Sequence, residues 1–344
     1  MHDEPLYMSN TRRGQRWVVF VVLLTILARG LWDVGNLQPD SLATNDRLSL
    51  VTISSARISS TNNSSDNGML AAQGSKSSHH QSSCPSGNNM KHFDAMYIMY
   101  MPQRREYIEQ VVEYYGFAHC FDIIYVPAIN KSSIDKQWFQ NKGFVASPFK
   151  LGIGKIANHL TLLKTLRLFL YNSENGDDSF SNNNNNNNNE DHSWMESRCI
   201  ILEDDIATLA SSEQLSGWWR HFSKVVGDMK RLDWDYVNFG RCYASCKNDN
   251  HVMNDIVHYN QAACTHAVGY SYAGALKAMQ TYLPLRDRSN DLMIADQITS
   301  GKFDGKAYQI TPILFKQNET MKSLLTDHGK SWEKPECSDT VNQS

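Results

Sequence analysis

Apolar and polar positions along residues 91–330 fall into blocks whose period switches between strand and helix. Residues 93–101 form an apolar run of strand length. After Pro102 the spacing becomes helical, with Tyr107, Val111, Val112 and Tyr115 recurring until Gly116 stops the pattern, and residues 121–128 read as a second strand. This predicts a β-α-β opening. Residues 155–170 predict a helix with Ile156, Leu160, Leu163, Leu166 and Leu170 on one apolar side. Residues 171–197 include eight consecutive asparagines, 182–189, and predict a solvated, disordered insertion. Residues 199–202 predict a short strand ending on Glu203, Asp204 and Asp205. Leu215, Trp218, Phe222, Val225 and Met229 then mark an amphipathic helix, 234–239 a strand, and 274–283 a helix stopped by Pro284. Strands alternating with helices predict an α/β domain, an open and mainly parallel sheet with helices on both faces and ligands at the carboxyl ends of its strands.

The pattern ends abruptly upstream. Residues 33–90 contain no Phe, Tyr or Trp, and fourteen of these 58 residues are Ser, too little apolar surface to offset the entropy of ordering. They predict a disordered stem. Residues 17–28 are apolar apart from Thr25, with Arg12, Arg13 and Arg16 before them and Arg29, Leu31 and Trp32 after. As a signal-anchor over residues 17–32, the run leaves residues 1–16 as a cytosolic tail and sends the rest into the lumen, because positive flanks stay inside. As a cleaved signal peptide it offers a basic n-region, an apolar h-region and Ala28-Arg29-Gly30 as the cleavage site. Both readings put residues 91–330 in the lumen of the endoplasmic reticulum or Golgi, the first as a single-pass type II membrane protein and the second as a secreted one. Residues 331–344 form a tail. Sequons at Asn62, Asn63, Asn130 and Asn318 fit that placement.

A formal net charge of -3 provides no basic face for nucleic acid and excludes that class of partner. The seven cysteines show no paired spacing for zinc. Cys242, Cys246 and Cys264 are close enough in sequence for one local bridge; the other reading is buried free thiols.

The candidate chemistry centres on Glu203, Asp204 and Asp205. Three adjacent carboxylates repel one another, and a divalent cation among them relieves the repulsion. Alternation along a strand puts Glu203 and Asp205 on one side and Asp204 on the other. Gln103, Arg104 and Arg105 open the first helix, where free N–H groups and two guanidinium groups suit phosphate. Lys155 and His159 share a helix face. Asp287, Asp291 and Asp296 are candidate general bases.

The order of these blocks resembles glycosyltransferase family 25, which includes lipooligosaccharide and collagen galactosyltransferases. The blocks are residues 98–105, Gly154 to Leu160 with Asn158 where the family has Ser, and residues 201–206. They continue with 234–240, with Phe239 where the family has Leu, then 265–271 with Gly274 and Ala275, 291–293, and 312–317. The resemblance implies a nucleotide-diphospho-sugar transferase (GT-A-like) fold and an inverting transfer of a hexose, galactose in the family's usual case, from a UDP-sugar to a protein or glycan hydroxyl. It further implies that Asp205, with Glu203 or Asp204, holds Mn²⁺ or Mg²⁺. Arg104, Arg105, Lys155, His159 and Asp204 would serve the donor, and Asp291, with Asp296 in reserve, would be the base. The alternative from another class is a lumenal binding or scaffold protein that keeps the fold without turnover.

Overall fold

A computed structural model of the chain describes residues 84, 92–146, 150, 152–174, 194–241, 249–260, 264–318, 320 and 321. The expected opening unit is present: β1 (Ala95–Tyr100), a 3-10 turn (Pro102–Arg104), α1 (Arg105–Tyr115) and β2 (Asp122–Pro127), with β2 parallel to β1. Pro102 occupies the start of the turn, where its missing N–H is not needed. Gly116 ends α1 in the left-handed conformation, φ 71°, and returns its N–H to the carbonyls of Glu113 and Val112.

The later strands are β3 (Arg198–Glu203), β4 (Tyr236–Asn238), β5 (His251–Met253), β6 (Ile256–His258), β7 (Ala267–Ser271) and β8 (Ala307–Ile310). Among the described residues they form one eight-stranded sheet in the order β2-β1-β3-β7-β4-β8-β6-β5. The pairs β1–β2, β1–β3 and β4–β8 are parallel, whereas β3–β7, β4–β7, β6–β8 and β5–β6 are antiparallel. The sheet is therefore mixed: the strands around β1 are parallel as expected, and β6 and β7 run against the rest. Its reversed strands, β6 and β7, are respectively three and five residues long, too short to impose a legible period on the sequence.

Alternation along the central strands sorts the two faces. Met96, Ile98, Ile200 and Leu202 share one core with Ile108, Val111, Val112 and Tyr115 of α1 and with Trp218, Trp219 and Phe222 of α4 (Ser212–Met229). Aromatic rings fill it: Tyr115 stacks on Phe117, and Trp218 on Phe222, with centroids 4.9 Å apart in each pair. On the opposite face Tyr97 packs against Phe169 and accepts a hydrogen bond from Asn172, both on α3 (Ile153–Glu174). Here α5 (Tyr272–Tyr282) and α6 (Asn290–Thr299) pack beside α3. A short α2 (Lys136–Asn141), capped by the Asp135 carboxylate, precedes them.

α3 is not the one-sided helix its leucine spacing suggests. His159, Thr161, Leu162 and Thr165 are buried along with Leu160 and Leu163, because α3 is enclosed by the sheet on one side and by α5 and α6 on another. Thr161 and Thr165 satisfy their hydroxyls by donating to carbonyls one turn earlier. The helix also continues through residues 171–174, and a 3-10 turn (Trp194–Glu196) precedes β3, so both ends of the expected insertion are structured. Its asparagine run lies outside the described residues.

Cys84, expected within the stem, is bonded to Cys120 with Cα atoms 5.3 Å apart, and packs against the α1 and α4 core. Cys264 is disulfide-bonded and Cys199 is a buried free thiol, while Cys242 and Cys246 lie outside the described residues. So do the rest of the stem, the apolar segment at 17–32 and the tail. Among the described residues no helix is long and apolar enough to cross a membrane.

Gly274 shows how tightly α5 is seated, since a Cβ there would lie 1.8 Å from the carbonyl oxygen of Asp235. Gly274→Ala is expected to cost at least about 1–3 kcal/mol, as overpacking of a dense core does. Gly217→Ala on the exposed face of α4, where nothing lies within 4 Å, should be neutral or stabilising. Urea titration of both variants beside the native chain is the check; equal midpoints would mean that α5 shifts freely.

Candidate functional site

β3 lies between β1 and β7, and its register pairs Met99 with Glu203 at the carboxyl end of β1. The three carboxylates reaching that end are held in different ways. Asp204 continues the side of Ile200 and Leu202, where it accepts the N–H of Met101 and pairs with Arg104 at 2.8 Å. Burial raises its pKa, while the Met101 N–H and the Arg104 guanidinium pull it back down. Asp204 thus clamps the turn between β1 and α1, and Arg104 is engaged in the same clamp.

Glu203 points to the other face, where Oε1 accepts the Thr265 hydroxyl at 3.2 Å. Burial and then the charges of Asp205 and Asp204, with a smaller contribution from Asp291, push its pKa up to about 8. Asp205 stands just beyond the strand. Its Oδ2 accepts from Gln317 Nε2 at 2.6 Å, its backbone oxygen accepts the Asn318 N–H, and Ile206 bridges to Gln317 in antiparallel fashion. Its Oδ1 is buried and has no hydrogen-bond partner.

Asp291 comes from the first turn of α6. Its Oδ1 accepts the N–H of Leu292 at 2.9 Å and its Oδ2 that of Cys264 at 3.2 Å. Cys264 presents that N–H from a left-handed backbone, φ 68°, a conformation that a non-glycine residue adopts at some cost. The charge of Asp291 reaches Glu203, Tyr259 and Tyr282, so the early and late carboxylates do share one neighbourhood.

An unpartnered buried carboxylate oxygen next to a carboxyl whose pKa is raised by burial and by its neighbours' charges is a setting that a divalent cation stabilises. The oxygen donors of Glu203 and Asp205 suit Mg²⁺ or Mn²⁺. Among the described residues no three His, Cys, Asp or Glu side chains converge to encage an ion unaided. Such ions commonly take one or two carboxylates and complete their shell with phosphate and water.

The remaining candidates divide. Arg105 lies over the Tyr125 ring at 3.9 Å and the Tyr100 ring at 4.9 Å, with its guanidinium half-exposed at the strand ends. Lys155 stands in the first turn of α3, and its charge reaches His159. His159 is fully buried, 2.9 Å from the Tyr282 hydroxyl through Nδ1 and 2.8 Å from the Arg288 carbonyl through Nε2. Burial lowers its pKa to about 4, so the ring is neutral, with Nε2–H donating to the Arg288 carbonyl and Nδ1 against the Tyr282 hydroxyl, which itself donates to Asn290 Oδ1. Both ring nitrogens face groups inside the fold, where His159 fixes the loop that leads to Asp291. Asp296 pairs with Arg288 at 3.4 Å and lines a separate cleft of about 200 Å³ with Thr281, Arg286 and Lys302. Asp287 accepts the Lys150 N–H at 2.9 Å.

Sequence reading did not single out Thr265, His266 or Tyr282. Each is an ordinary residue type whose importance depends on what the fold sets against it. The chain matches no protein-family model and no curated protein.

His159 generates a pH prediction. Its folded pKa, about 4, lies below the ordinary 6.5, so the unfolded chain binds a proton that the folded chain refuses. The stability it contributes is complete above pH 6.5 and is lost as pH falls toward 4. The difference in unfolding free energy between the native chain and His159→Gln should therefore shrink by on the order of 3 kcal/mol from pH 7 to pH 4. Urea titrations across that range measure it, and a constant difference would mean that the ring protonates without resistance.

Proposed function

We propose that the chain is a divalent-metal-dependent glycosyltransferase that moves a hexose, galactose by the family 25 resemblance, from a UDP-sugar to a protein or glycan hydroxyl with inversion. The observation that carries this reading is the buried, unpartnered Asp205 Oδ1 beside Glu203, Asp204 and Asp291 at the carboxyl ends of β1 and β3. Open α/β sheets present ligands at these ends.

Inversion by one displacement needs a base for the acceptor hydroxyl and positive charge for the departing diphosphate. A Mn²⁺ or Mg²⁺ ion held at Asp205, beside Glu203, would supply that charge when bound. Asp291, positioned in the first turn of α6 and held by the Cys264 N–H, accepts the acceptor's proton on its carboxylate. Arg105 offers its half-exposed guanidinium to phosphate, and Lys155 adds charge at the start of α3. Arg104 and Asp204 act through each other by holding the β1–α1 turn in place.

A lumenal location for residues 91–330 belongs to the same reading. It is supported by the arginines ahead of residues 17–28 and by the Cys84–Cys120 and Cys264 disulfides, which persist in oxidising compartments. In sealed microsomes residues 91–330 should resist added protease until detergent is supplied; digestion without detergent would place them in the cytosol.

Two substitutions separate the roles. Asp205→Asn should weaken Mn²⁺-dependent UDP binding together with turnover. Asp291→Asn should leave that binding intact while transfer falls about 10²- to 10⁴-fold, the usual contribution of a general base. Calorimetry with UDP and Mn²⁺ beside a transfer assay measures both, and the opposite pattern would assign the metal to the late carboxylate.

A further inference from the structure

We propose that Nδ1 of His266 is a further ligand of the cation held by Asp205, making a mixed nitrogen and oxygen site that selects Mn²⁺ over Mg²⁺. This inference rests on the metal-dependent reading above and adds a residue to that same site.

His266 immediately precedes β7 and is 2% exposed. Its Nε2 lies 3.1 Å from the carbonyl oxygen of Phe315, which can only accept. The ring proton therefore sits on Nε2, and Nδ1 presents a lone pair. Nδ1 is buried with no hydrogen-bond partner, as is Asp205 Oδ1. A histidine that donates one ring N–H to a backbone carbonyl and keeps the other nitrogen bare is in the form that ligates metals.

The fold sets these two atoms in one neighbourhood. The segment after β8 contacts both residues, at His266 through the Phe315 carbonyl and at Asp205 through Gln317 Nε2, 2.6 Å away. On the sheet side the Glu203 N–H donates to the His266 carbonyl at 2.9 Å, which ties the acidic strand end to the same residue. Burial lowers the His266 pKa, and the Phe315 carbonyl and the Asp205 charge draw it back up. Two lone pairs cannot bond to each other, whereas an ion between them satisfies both. The ring's place is also reserved, since a Cβ on Gly240 would lie 2.2 Å from His266 Nε2. Glycine at 240 therefore preserves the ring's orientation. With Asp205 and His266 as its two direct protein ligands and Glu203 beside rather than in the shell, the ion needs no third converging side chain and keeps room for diphosphate oxygens and water. A ring nitrogen suits the less strongly hydrated Mn²⁺ better than hard Mg²⁺, which dehydrates reluctantly.

The test uses the full-length chain loaded with Mn²⁺ alone. Pulsed electron paramagnetic resonance should show modulation from a directly bound nitrogen, and labelling with ¹⁵N-histidine should change it. In His266→Gln, whose amide can still donate to the Phe315 carbonyl, the modulation should vanish. Mn²⁺ affinity by calorimetry should then fall at least about tenfold, with a smaller change for Mg²⁺. Mn²⁺ bound in an Asp205-dependent manner with no histidine modulation, or with modulation that survives in His266→Gln, overturns this inference and leaves the proposed function standing. Failure of the native chain to bind Mn²⁺ overturns both. If His266→Gln does not fold, the isotope-labelled native chain decides.

Discussion

Three carboxylates in succession at the end of β3 repel one another where water is too scarce to screen them, and the neighbouring elements answer that repulsion separately. Asp204 is turned toward Arg104 and the Met101 N–H, which fastens the β1–α1 turn to the strand end. Glu203 is turned to the opposite face, toward Thr265, and keeps its proton. Asp205 is drawn into a short ladder with the segment after β8, leaving one oxygen without a partner. Elements distant in sequence thus converge on one strand end because each supplies something that end lacks.

The histidine at α3 belongs to the same arrangement at one remove. A neutral His159, set against the Tyr282 hydroxyl and donating to the Arg288 carbonyl, fixes the approach to α6 and with it the position of Asp291. A charged side chain at 159 would face Lys155 from a desolvated position, and the loop would lose its anchor. Burial here serves placement more than cohesion.

How much of this was legible in the sequence depended on element length and on whether a signal was local. The opening β-α-β unit was legible because Tyr107, Val111, Val112, Tyr115 and Gly116 give period and stop within one stretch. The reversed strands β6 and β7 were not, being too short to show a period, so the mixed character of the sheet stayed hidden. α3 was found but misjudged, since leucine spacing cannot reveal that threonines on its other sides are also enclosed. At the site, alternation placed Glu203 and Asp204 on opposite faces, as the structure has them. The Cys84–Cys120 bond and the pairing of Asp205 with Gln317 span 36 and 112 positions, separations over which a single sequence carries no distance information.

The bond from Cys84 to Cys120 gives the domain a direction. Cys120 lies two residues ahead of β2, whose first residue pairs with the first residue of β1, so the upstream chain is pinned at the amino ends of these strands. The acidic cluster lies past their other ends. Strands of this length separate the two by roughly 20 Å. Force or motion carried along the incoming chain is therefore delivered to the pole of the sheet remote from its acidic rim. Anything that approaches that rim meets the strand ends opposite the one where the chain is fastened.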